Sequence, residues 1–92
     1  MFKKRRWFSR GRIDSDEGFS VALGRDMVAY WEGSRRMLVT ADAGAGEVNV
    51  FTESIGRWDD DLSHTVNDEE RQRIANNIRR AFESQGYSVF LL

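Results

Sequence analysis

The sequence predicts an α+β fold: an antiparallel β-meander of four to five strands, one C-terminal α-helix packed on one face, and a final short β-strand. Three observations predict it. Between residues 18 and 57 short apolar stretches are separated by turn residues, the pattern of successive hairpins. After residue 67 the apolar spacing lengthens to three and four, the period of an amphipathic helix. Finally, 92 residues leave room for a single core.

The first strand is read at Phe19-Ser20-Val21-Ala22-Leu23, which alternates with period two, and Gly24-Arg25-Asp26 supplies the turn after it. Met27 to Glu32 is the second strand. Gly33-Ser34 is a two-residue hairpin loop, where glycine accepts positive φ without steric cost. The chain returns along Arg36 to Thr40, passes a looser loop at Asp42–Gly46, and alternates most clearly from Glu47 to Glu53. Ile55 to Trp58 extends that strand or begins another. Asn67 or Asp68 caps the helix, and Glu70 stands three residues after Asn67, a variant of the capping box. Ile74, Ile78, Ala81 and Phe82 line one helix face. Acids at residues 68–70 and arginines at 79 and 80 suit the two ends of the helix dipole, and Gly86 marks the stop. Tyr87 to Leu92 has strand composition and is apolar enough for cover on both sides.

One helix covers one sheet face, so the opposite face is left open. Alternation separates Met27, Ala29 and Trp31 from Val28, Tyr30 and Glu32, and pattern alone does not say which set meets the helix. Either way, large side chains are expected on the open face, and exposed apolar patches often mark partner surfaces.

Composition narrows the chemistry. There is no cysteine, which excludes disulfides, thiolate metal sites and cysteine nucleophiles. A small domain without disulfides fits a reducing compartment. No apolar run approaches the roughly 18 residues of a membrane span. The basic start gives way to Ser9-Arg10-Gly11-Arg12 where a signal peptide needs an apolar stretch, so the expected location is cytoplasmic. Charge is unevenly spread. Six of the fourteen basic residues fall in positions 1–12, leaving eight against all fifteen acids in residues 13–92. The sequence thus divides into a basic arm of +6 (residues 1–12) and a single folded domain of −7 (residues 13–92). A field of that sign repels nucleic acid and attracts basic proteins.

Motifs for catalysis are missing. The one histidine, His64, sits in a polar stretch with no nucleophile elbow anywhere in the chain. Asp59-Asp60-Asp61 lacks the twelve-residue pattern of a calcium loop, and is read first as a solvated loop and second as a contact surface for a basic partner. Gly44-Ala45-Gly46 precedes a strand rather than a helix, so it is hairpin chemistry and not a phosphate cradle. We therefore expect no enzyme activity, no cofactor, no metal, no small-molecule substrate and no membrane partner. Trp31, Phe51 and Trp58 each suit a core. Trp58 also directly precedes the aspartates, the composition of an aromatic anchor within a charged rim.

The order of features carries a resemblance. Tyr30-x-Glu32, the Gly33–Arg36 turn, Leu38, Val48–Phe51 and Ser54-Ile55-x-x-Trp58 are followed by an acidic gap. Asp68-Glu69-Glu70-Arg71-Gln72-Arg73-Ile74 then opens a helix, and Gly86-Tyr87-Ser88-Val89 follows it. Over residues 18–90 this resembles small immunity proteins of bacterial polymorphic-toxin and contact-dependent growth inhibition systems. The resemblance implies a cytoplasmic inhibitor that binds the C-terminal toxin domain of a sibling effector, often a basic nuclease. On charge and expected exposure, Trp58, Asp59, Asp60 and Asp61 form one predicted contact cluster, and Glu47 and Glu53 a second. The rival reading is a nucleic-acid-binding accessory protein that uses Lys3, Lys4, Arg5, Arg6, Arg10 and Arg12.

Overall fold

The computed structural model describes residues 2–5, 12–61 and 63–92. Seven strands form one sheet whose spatial order is the sequence order: β1 (Phe2–Arg5), β2 (Arg12–Ser15), β3 (Phe19–Leu23), β4 (Met27–Glu32), β5 (Arg35–Gly44), β6 (Glu47–Val50) and β7 (Ser88–Leu91). Neighbours are antiparallel from β1 to β6, and β7 joins β6 in parallel. The one α-helix among the described residues, α1 (Asp68–Glu83), lies in the connection that makes the parallel pairing possible. The architecture is α+β with a meander, a helix and a short last strand, as predicted.

The differences lie at element ends. Two strands precede the predicted meander. β2 holds one buried residue, Ile13, and owes its conformation to the pairing Ile13↔Val21 and Asp14↔Ser20. β1 takes part of the basic arm into the sheet, whereas Arg6, Trp7, Phe8 and Arg10 lie outside the described residues. β5 is ten residues long and runs through the expected loop at Asp42–Gly44. Its inward alternation of Met37, Val39 and Ala41 ends there, pairing with β6 carries the strand on to Gly44, and the turn is carried by Gly46 at φ +77°. β6 stops at Val50, where a 3-10 turn (Thr52–Ser54) begins. The Ser54 hydroxyl donates to the Phe51 carbonyl at 2.6 Å and accepts the Thr40 N–H at 2.8 Å, ending the strand.

β7 corrects another expectation. It is an edge strand, not one covered on both sides, and Phe90 and Leu92 are 47% and 59% exposed.

The core lies between the sheet and α1. Val28 and Tyr30 point inward with Val21, Met37, Val39, Val48 and Val50. Against them α1 sets Ile74, Ala75, Ile78, Ala81 and Phe82, all buried. Burial of each large aliphatic side chain contributes about 1.5–3 kcal/mol. Asn67 caps α1, its Oδ1 accepting the Glu70 N–H at 2.8 Å. The Glu70 carboxylate does not complete the box. It turns to Trp58 Nε1 at 3.4 Å and Arg73 at 3.7 Å instead. A polar seam ties α1 to β4. The Tyr30 hydroxyl donates to Glu32 at 2.5 Å and accepts from Asn77 at 2.9 Å, while Arg73 pairs with Glu32.

Candidate interaction surface

Register settles which set of alternating residues is left uncovered. Ala22 pairs with Ala29, Ala29 with Leu38, and Trp31 with both Ser20 and Arg36. These side chains share the face opposite α1. Met27 is 40% and Leu38 42% exposed, high values for residues at the middle of a sheet. With Ala22, Ala29, Trp31 and Arg36 they line a shallow depression of about 330 Å³. Along β4 and β5 the face therefore has an apolar centre, and the helix that would cover it lies on the other side.

Charged pairs border this centre. The Arg12 guanidinium stands 4.2 Å from the Trp31 ring centroid and pairs with Asp14 at 3.3 Å, and Asp14 in turn accepts from Ser20. Arg36 Nε meets Asp59 Oδ2 at 2.7 Å, and the Asp59 N–H donates to the Arg36 carbonyl at 2.7 Å. This double contact fastens the 57–61 loop along the outer side of β5.

The structure thus places the predicted cluster differently. Trp58 is fully buried, with its ring centroid 6.1 Å from that of Tyr30 and the Arg35 guanidinium 4.3 Å above it. This corrects the expected exposed anchor, because the indole is part of the core and holds the loop from beneath. Asp59, Asp60 and Asp61 do reach the surface, but Arg36 and Arg35 partly neutralise the first two, at 2.7 and 3.7 Å. Asp61 accepts the Ser63 hydroxyl at 2.8 Å, and that hydrogen bond holds its carboxyl below the usual range. Trp58 and Asp61 form an isolated bridge that turns the chain back at this point.

Glu47 and Glu53 are exposed but do not form one cluster. Glu47 opens β6, a strand about 10 Å long, and Glu53 lies past its other end. Sequence reading also missed Arg12 and Arg36 as the charged border of the open face. Their register partners, read from the two hairpins, were the available signal. His64 is exposed, and no three His, Cys, Asp or Glu side chains converge among the described residues. No helix among the described residues is long and apolar enough to cross a membrane. Compared with known proteins, the chain matches no family, no curated protein and no solved structure.

Proposed function

We propose that this protein is a cytoplasmic, non-enzymatic immunity protein that binds and neutralises a basic toxin domain by occluding it with a sheet face. The observation that carries the reading is the uncovered apolar centre at Met27, Trp31 and Leu38. Large apolar groups ringed by charge suit an interface whose affinity comes from its centre and whose selectivity comes from its rim. Strands β1 and β2 bring Lys3, Lys4, Arg5 and Arg12 into the sheet, so the described residues hold fifteen acids against twelve basic side chains, and that remaining acidic excess supports a cationic partner, because complementary charge accelerates encounter. The Arg36–Asp59 and Arg12–Asp14 pairs give that rim both signs, so recognition on this face depends on matching pairs rather than on bulk charge.

The reading is tested by first assaying the domain encoded immediately upstream for toxicity and then co-expressing it with this protein. The expected result is restored growth and a one-to-one complex. Replacing Met27 and Leu38 together by lysine is expected to abolish both while leaving the urea midpoint near that of the parent. No rescue by the parent protein would overturn the immunity reading, and full rescue by the double variant would move the interface off this face.

A further inference from the structure

The two edges of the sheet differ in kind. β1 carries Lys3, Lys4 and Arg5, the sort of charge that blunts an edge against pairing. β7, Ser88-Val89-Phe90-Leu91, carries none. Its inner side is spoken for: the Ser88 N–H donates to Gly46 at 2.9 Å, the Leu92 N–H to Val50 at 2.8 Å, and the Leu92 carbonyl accepts from Thr52 at 3.0 Å. Alternation along the strand therefore turns the N–H and C=O groups of Val89 and Leu91 outward, where they can accept another strand.

Space exists on both sides of such a strand. On the helix side a cavity of about 460 Å³ lies against Leu91, walled by Thr52 and by Arg71, Gln72, Ala75 and Asn76. On the open side stands Phe90, 47% exposed. An added strand would point alternate side chains into the cavity and onto Phe90.

Charge selects the occupant. Glu47 is in register with Ser88 at the start of β7. Glu53 follows Thr52, whose hydroxyl donates to the Leu92 carbonyl at 2.7 Å, at the far end. Neither glutamate makes an ion pair among the described residues. Antiparallel pairing of β7 with a second copy would bring the acidic end of each protomer toward the acidic end of the other, and that repulsion disfavours it. A strand with basic ends is attracted instead.

We propose that β7 is the acceptor edge for an extended segment of the partner protein, apolar at its centre and cationic at its ends. The proposal rests on the toxin-binding reading and adds to it the form in which part of the toxin is held.

The probe is a capped ten-residue peptide, Lys-Lys-Val-Thr-Val-Thr-Val-Thr-Lys-Lys, titrated into the full, isotope-labelled chain and followed by amide shifts and hydrogen exchange. The expected result is shifts and protection at Val89 and Leu91, with affinity falling about tenfold or more when Glu47 and Glu53 are both changed to lysine. Leu91→Pro removes an outward N–H, so it should abolish the signal while leaving helical circular dichroism intact. Equal binding of the peptide with glutamate in place of lysine would overturn the proposal. So would shifts confined to Met27 and Leu38, or protection of β7 by self-association without peptide. The same variant separates the two readings: an upstream toxic domain bound equally by parent and Leu91→Pro protein sinks the edge proposal alone. Peptide capture at β7 with no recognition of the toxic domain would support the edge and sink the immunity reading.

Discussion

The two faces of β4 show how one strand of six residues supplies both a core and a surface. Val28 and Tyr30 are fully buried beneath α1, while Met27 and Trp31, their immediate neighbours, look outward from the same strand. On the covered face the polar atoms are matched, with the Tyr30 hydroxyl held between Glu32 and Asn77. On the open face aromatic area is matched only by charge, as where Arg12 lies over Trp31. The difference teaches that apolar content does not separate structural from binding residues in this chain. Position relative to the single helix does.

Three substitutions sharpen that contrast, and they are ordered by expected effect on stability. Trp58→Ala removes a fully buried indole and should cost about 3–5 kcal/mol, read as a lower urea midpoint. A change below about 1 kcal/mol would show that the 57–61 loop is not anchored in the core. Tyr30→Phe should cost about 1–2 kcal/mol by removing a hydrogen bond to a charged group. It also has a pH signature. Burial, first, and the Glu32 hydrogen bond, second, raise the Tyr30 pKa above its ordinary value of 10.0. The unfolded chain therefore releases this proton at lower pH than the folded one. The associated stability is complete below pH 10 and is lost as pH rises above it toward the folded value. Denaturation midpoints across pH 9–11.5 should fall less steeply in Tyr30→Phe than in the parent, and parallel curves would contradict the assignment. Smallest of the three, Trp31→Ala should cost only about 1 kcal/mol, chiefly the contact with Arg12, yet should greatly weaken partner binding. A large stability loss with unchanged binding would reverse the roles given to the two faces.

The parts of this structure that were legible in sequence are those fixed by local rules. α1 announced itself through Asn67, the acids that follow it, and the spacing of Ile74, Ile78, Ala81 and Phe82. The β4–β5 hairpin did so through Gly33, which adopts φ +62°. Contacts between distant residues were not legible. Ile13 is the one apolar residue of β2, too little for a strand pattern, and pairing with β1 and β3 makes it one. Trp58 suited both a core and an anchor beside three aspartates, and the choice of core is decided by Tyr30 and Arg35, more than twenty residues earlier. The open face was half legible: alternation divided β4 into two sets, and only the position of α1 distinguished them. For β7 an apolar composition suggested cover, whereas exposure followed from its being last in the sheet order.

The parallel seam between β6 and β7 has a consequence for how the molecule yields. Val50 and Leu91 are register partners although 41 positions separate them, whereas the hairpins of the meander close over a few residues. Chain entropy makes that long closure cost about 2 kcal/mol more than a four-residue turn. The last strand is thus expected to peel away before the meander loosens. A ligand strand bound along it would clamp the weakest joint in the sheet, and occupancy would be felt as a slower opening of the whole C-terminal half.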